Sequence, residues 1–328
     1  MNAPSYPVNL IEFDVSSLDV FSIDDLIELS KMTNLQTLHC YIDFWDDVFT
    51  TDISPLSNLI NLRSLHITNP ADTIRDISPL STLTNLETLT IYSRSLCDIS
   101  PIGELTQLKE LNLYVSSELV DISALSELSN LTSFRLQRHY SDYDLDISPL
   151  EGLANLTLIN FYSHAVGDIS PLGAITNLRY LYLFGVGVAD ISPLAGLENL
   201  ETLYLTENFD IGDISPLARL TNLTSLNLSF TGITNINALE GLTNLINVNL
   251  NGNQISDISP LSGLTNLTSL SFSMYHRHGM EIESNFSDIS PLKELHSLTS
   301  LDLSGHSISQ SKIEELREAL SNCEIIIS

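Results

Sequence analysis

Imidazoles, thiols and carboxylates are the side chains of this sequence able to hold a metal or move a proton, and few of them fall at useful spacings. His39 and His66 occupy equivalent places in successive copies of a repeated phrase, with Asp14 in the matching place ahead of them. Two imidazoles and a carboxylate suit zinc, which ordinarily takes four ligands. No fourth ligand is evident, so no metal is expected. His139 and His164 form a second pair of this kind, with the same expectation. His276-Arg277-His278, followed by Glu281 and Glu283, lacks a ligand spacing and reads as a solvated insertion. Cys40 follows His39 directly, but alternation along a strand sends neighbouring side chains to opposite faces, so the two cannot act as nucleophile and base. The acids Asp46 and Asp47, and Asp142 and Asp144, lie in loop-like stretches with no visible enclosure. The chain contains no Gly-x-Ser-x-Gly elbow, no phosphate-cradling glycine loop and no His-Glu-x-x-His helix. It is read as a protein without catalysis, cofactor or metal.

The elements that carry these residues are repeats. Asp-Ile-Ser-Pro recurs at Asp52, Asp76, Asp98, Asp146, Asp168, Asp190, Asp213, Asp257 and Asp288, with degenerate copies at Asp25, Asp121 and Asn235. Ten residues after each anchor comes Leu-x-x-Leu-x-Leu, as at Leu62, Leu65 and Ile67. A unit of about 22 residues with this leucine pattern cannot bury its apolar face alone, and stacking buries it against its neighbours. Ser54 before Pro55 is a helix-start signal, in which a serine hydroxyl accepts an orphan amide and proline has none to waste. In the strand that follows, Leu65 and Ile67 point inward while Ser64, His66 and Thr68 face out. The anchor aspartate is assigned to its own turn, as an acceptor for backbone amides. The expected fold is an α/β repeat solenoid, a right-handed horseshoe with a parallel concave sheet and short 3₁₀ or α turns on the convex side. One domain is expected over 1–328, with an incomplete repeat at 9–24, twelve repeats over 25–308, and a helix-and-strand cap over 309–328. Ser309 and Ser311 are candidate caps of that helix.

Charge narrows the partners. A formal net charge of −28, with 13 Lys plus Arg, leaves no basic stripe for phosphates, so nucleic acid is excluded and a partner with a basic surface is favoured. No apolar run is long enough for a membrane span. Met1 to Val8 has neither a charged n-region nor an apolar h-region. The chain as written reads as cytoplasmic, or as secreted or surface-bound if a leader has been removed. Three scattered cysteines, Cys40, Cys97 and Cys323, make no disulfide framework. Four of six glycosylation sequons, at Asn130, Asn155, Asn222 and Asn266, arise from the repeat phrase itself, where a glycan would crowd the turns.

The anchor phrase with Leu-Thr-Asn-Leu, in units such as 190–212 and 235–256, resembles the leucine-rich repeats of bacterial internalin-like proteins. That resemblance implies a curved solenoid that binds another protein on its concave face. Repeats of this kind are also similar to those of phosphatase-regulating leucine-rich proteins, which implies an intracellular regulatory subunit as the alternative. The family's asparagine, eight residues after the first strand leucine, is matched at Asn208 and Asn253, while Arg94, His139, His164 and Val186 take that place elsewhere.

Outward strand positions, aligned by anchor, form columns. The column sixteen residues after the anchor runs Tyr41, Thr68, Tyr92, Tyr114, Gln137, Tyr162, Phe184, Thr206, Ser229, Asn251, Ser273, Ser304. Tyr180, Tyr182 and Tyr204 join from adjacent columns, so aromatics crowd the first half and small polar residues the second. Tyrosine is a good strand residue anywhere, yet the later repeats lack it. Tyr41, Tyr92, Tyr114, Tyr162, Tyr180, Tyr182, Phe184 and Tyr204 are therefore the candidate partner-binding residues, with Arg135, flanked by Tyr114 and Tyr162, as the charged anchor. Exposed tyrosines also stack on sugars, which leaves glycan binding as a further alternative.

Overall fold

The computed structural model describes residues 12–14, 23–42, 51–138, 144–162, 166–274 and 288–327, the first of these by backbone alone. They belong to two compact units, Met1–Ala165 and Val166–Ser328.

In the N-terminal unit the strands are β1 (Glu12–Asp14), β2 (Thr37–Tyr41), β3 (Ser64–Thr68), β4 (Thr88–Tyr92), β5 (Glu110–Val115), β6 (Ser133–Arg138) and β7 (Leu158–Tyr162). They pair parallel in chain order. The C-terminal unit holds β8 (Tyr180–Phe184), β9 (Thr202–Tyr204), β10 (Ser225–Asn227), β11 (Asn247–Asn249), β12 (Ser269–Ser271), β13 (Ser300–Asp302) and β14 (Glu324–Ile326), again parallel and in chain order. Parallel strands one short repeat apart need a crossover, supplied here mostly by a 3₁₀ turn such as Ser54–Asn58 or Ser192–Gly196. The expected alternation holds: Leu65 and Ile67 are fully buried, while Ser64, His66 and Thr68 are half-buried on the other face. The core is a continuation of that pattern, leucine and isoleucine from strand and turn, widened in the N-terminal unit by Phe134 and Phe161 meeting edge to face at 5.7 Å.

The anchor aspartate does what its recurrence implied. Asp52 Oδ1 accepts the Ser54 amide at 2.7 Å, and the same bond recurs at 2.8 Å in the N-terminal unit at Asp76, Asp98, Asp121 and Asp146. In the C-terminal unit it recurs at 2.8 Å at Asp168, Asp190 and Asp213, and Asn235 keeps it with a neutral oxygen. That amide is the first cause holding the carboxyls of Asp76, Asp121, Asp146, Asp190, Asp257 and Asp288 below their ordinary proton affinity. The serine is therefore not the cap. An isoleucine fills the N-cap position, and the serine hydroxyl donates to the second aspartate oxygen at 3.0–3.1 Å in four repeats. The Ser-Pro signal marks the right turn, but the oxygen within reach of the first free amide belongs to the residue two positions earlier.

A second brace is the asparagine of the Asn-Leu phrase. Asn61, Asn85, Asn130 and Asn155 each donate Nδ2 to a carbonyl of the preceding repeat at 2.7–2.9 Å, as do Asn199, Asn222, Asn244 and Asn266 in the C-terminal unit. A glycan at any of the four repeat-phrase sequons would sit on the nitrogen that ties two repeats together.

The ends differ from the middle. Helix α1 (Ile23–Leu29) takes the place of the first 3₁₀ turn, with Leu26 and Leu29 buried and Asp24 and Asp25 favourably placed in its first turn. At the other end α2 (Gln310–Ala319) buries Ile313 and Leu316, and Lys293 reaches Glu315 at 2.6 Å. Ser309 stands at its N-cap with extended backbone, yet its hydroxyl makes no capping bond. Its carbonyl takes the Ile313 amide, and Ser311 lies within the helix. Neither serine hydroxyl is the expected cap.

Candidate partner-binding face

Because successive strands pair in register, outward residues at equal positions meet directly, while rings are long enough to reach a diagonal neighbour as well. On the N-terminal unit this produces a row of rings. His39 pairs with His66, their centroids 5.4 Å apart. His66 is in register with Thr90, but its ring leans to Tyr92 at 5.5 Å, held by a 3.0 Å hydrogen bond between Nε2 and Thr68 Oγ1. Tyr92 and Tyr114, paired directly, stack at 3.7 Å and 11°. Four rings thus run unbroken over β2 to β5. Tyr41 is half-buried in line with Thr68, and Tyr162 on β7 is 47% exposed, in line with Gln137. The Tyr92 phenol is pushed up to about 12, first by burial and then by its hydrogen bond with Tyr114.

A polar row runs beside the rings. Thr90 Oγ1 accepts from Asn112 Nδ2 at 3.1 Å, and Asn112 Oδ1 accepts from Arg135 Nη1 at 3.1 Å. Ser133 Oγ takes the same Nη1 at 3.1 Å. The register neighbours of Arg135 are Asn112 and Asn160, not the tyrosines expected beside it. Tyr114 and Tyr162 stand in register with Gln137, two residues further along, because outward columns advance by two. Asn112 and Ser133 were missed in the sequence; only the strand register identifies them as the residues that orient the guanidinium.

Among the described residues no group of three or more His, Cys, Asp or Glu is placed to hold a metal. Asp14 is in register with His39, and its side chain lies outside the described residues, as do His139, His164 and the segment His276–Glu283. Cys40 is buried behind the face, its thiol pushed up to about 12 by that burial and directed to the His66 carbonyl at 3.6 Å. It is unsuited to nucleophilic work. Cys97 is exposed.

The C-terminal unit has its own aromatic group. Tyr182 and Tyr204 are in register and meet edge to face at 5.1 Å. The Tyr180 hydroxyl donates to Glu201 at 3.2 Å, and Arg179 lies 5.5 Å from the Tyr180 ring while pairing with Glu201. Phe184 is half-buried at the end of β8. Beyond β9 the face turns polar. Asn227 and Asn249 each accept the amide two residues on, at 2.9 and 3.0 Å, and Asp302 does the same for Ser304 at 2.9 Å. Strands β9 to β13 are three residues long where β2 to β8 are five or six.

With this geometry in view, the chain compares closely with an internalin (InlF) of Listeria monocytogenes. That structure is 34% identical, covers 91% of this chain and is itself 82% covered, with a TM-score of 0.75. This chain belongs to the internalin-like leucine-rich-repeat family. The family model for leucine-rich repeats (two copies) matches residues 176–219 and 221–263 of this internalin-like chain. A leucine-rich-repeat protein of Leptospira interrogans shares the fold at 18% identity, over 97% of this chain and 96% of that one, with a TM-score of 0.66. A plant peptide hormone receptor, RGFR1 in complex with RGF2, shares it at 20% identity over 90% of this chain and 55% of its own, with a TM-score of 0.60. No curated protein matches by sequence. Among the described residues no helix is long and apolar enough to cross a membrane.

Proposed function

We propose that this internalin-like chain is a non-catalytic recognition protein that binds a protein partner on the aromatic strand face. A leucine-rich-repeat scaffold suits protein interaction in general, and the finer assignment rests on one observation. In the N-terminal unit four rings form a continuous row across adjacent strands, with Tyr41 and Tyr162 further along and Arg135 fixed beside them. Stacked tyrosines present rigid area that loses little entropy on binding, and their hydroxyls add hydrogen bonds. The Asn and Ser rows of β10 to β12 have spent much of their hydrogen-bonding capacity on their own backbone and offer little apolar area. Tyr180, Tyr182, Phe184 and Tyr204 supply the corresponding rings of the C-terminal unit.

The test is capture of partners by wild type, by the Tyr114→Ala, Tyr162→Ala double variant and by Asn249→Ala, followed by affinity measurement on whatever protein the wild type retains. The double variant should lose that protein and Asn249→Ala should keep it. Equal retention by all three, or greater loss with Asn249→Ala, would place binding elsewhere.

A further inference from the structure

We propose that Arg135 is a preformed receptor for a carboxylate, so that the protein partner meets this face with an acidic side chain set beside an apolar or aromatic one. The inference rests on the binding face proposed above and names its chemistry.

The chain carries 41 Asp plus Glu against 13 Lys plus Arg, so an arginine has no shortage of carboxylates to pair with. Four cations that flank strands do pair. Arg63 and Lys109 both hold Glu87, Arg94 holds Asp72, and in the other unit Arg179 holds Glu201. Arg135 sits on the strand face itself, half-buried, and among the described residues its hydrogen bonds go only to neutral oxygens, Asn112 Oδ1 and Ser133 Oγ. Both bonds use the same nitrogen, Nη1. The guanidinium has five donors in a rigid fork, so the Nη2 and Nε donors remain for a ligand. Two parallel donors of that kind match a carboxylate in bidentate fashion. Asn112 is itself fixed by Thr90, so orientation is set before any partner arrives. Neutral neighbours position the charge without cancelling it, which is the arrangement of a receptor and not of a structural ion pair.

The rings define what lies next to the carboxylate. Arg135 and the Tyr92–Tyr114 stack occupy adjacent columns, two residues apart along the strand, and one side chain of an extended partner segment can reach each. A net charge of −28 alone would favour a basic partner. The local chemistry favours an acidic contact at the centre of the face.

The experiment selects a displayed library of random peptides on the wild-type full-length protein, then measures the selected sequences as soluble peptides. The peptides should share an Asp or Glu beside an apolar or aromatic residue. Replacing that acid by its amide should weaken binding to wild type by about tenfold, as expected for a close charged pair. The same replacement should change nothing on Arg135→Gln, which retains polarity at that position without charge. Arg135→Lys should recover only part of the affinity, because an ammonium cannot offer the fork. A basic consensus overturns the proposal. So does an acidic consensus whose amide replacement costs the same on wild type and Arg135→Gln, or a library yielding nothing that wild type binds more tightly than Arg135→Gln. If Tyr114→Ala loses the peptides while Arg135→Gln keeps them, the binding face stands and the carboxylate receptor fails.

Discussion

Replacing Asn208 by alanine should cost more stability than any exposed asparagine of the repeat phrase. Asn208 is fully buried, and its Nδ2 donates to the carbonyls of Leu183 and Leu205 at 2.8 and 2.9 Å. Its Oδ1 accepts the amides of Val186 and Val188, both at 3.1 Å. Four backbone groups, the Leu183 carbonyl within β8 and three in the segments that follow β8 and β9, thus depend on one side chain. Orphaning each costs on the order of 1 kcal/mol or more when water cannot reach it, so the whole change should cost about 4 kcal/mol. The comparison is Asn199→Ala, which removes a single exposed bond, to the Thr176 carbonyl at 2.9 Å. Stability in a stacked array is a sum of repeat and nearest-neighbour terms, so the damage should be local. Hydrogen exchange read by mass spectrometry on a peptide spanning 183–188 should show lost protection in Asn208→Ala, while peptides from β12 and β13 stay protected. Urea midpoints should fall further for Asn208→Ala than for Asn199→Ala. Unchanged protection at 183–188, or equal midpoints for the two variants, would mean that these segments hold themselves and the side chain merely fills space.

Two further expectations concern protons. The Tyr92 phenol, pushed up to about 12 first by burial and then by its hydrogen bond with Tyr114, should give an ionisation step near that pH in an absorbance titration, and Tyr92→Phe should remove that step. Its folded value lies above its unfolded value of 10.0, so its contribution to stability is complete below pH 10 and is lost as pH rises toward 12. His306 is held below its ordinary 6.5, first by burial, with its Nε2 at 2.8 Å from the Phe272 carbonyl and Asp302 acting in the opposite sense. Here the unfolded chain binds the proton more readily, so stability should fall as pH drops from 6.5 toward the lower folded value. Thermal melts of His306→Gln should be flatter than wild type over that window.

What could be read from the sequence and what could not divide along a physical line. The strand core was legible because each inward slot recurs in every repeat, so Leu65, Leu89 and Leu111 confirm one another, and a parallel register follows from equal spacing. The anchor aspartate was legible for the same reason. Single-copy features were not. Asn69, seven residues after Leu62, is buried and accepts the amides of Thr73 and Ile74 at 2.7 and 2.9 Å while donating to the Ile42 carbonyl at 2.8 Å. It does the work of Asn208, but a search at a fixed offset of eight passes over it, because the requirement is set by where the bend exposes amides and not by a count of residues. The site shows the same limit. Alternation places His66, Tyr92, Tyr114 and Arg135 on one face, yet it cannot say that His66 leans past Thr90 to Tyr92, or that Arg135 rests on Asn112 and Ser133. Rings and guanidinium groups are longer than the strand separation, so their partners are chosen among direct and diagonal neighbours by local hydrogen bonds. Thr68 holds the imidazole, Asn112 holds the guanidinium, and Thr90 holds Asn112. These small polar residues look interchangeable with any other exposed strand residue in the sequence. The recognition chemistry proposed for this face depends on them as much as on the tyrosines, because they decide which way the larger groups point before a partner arrives.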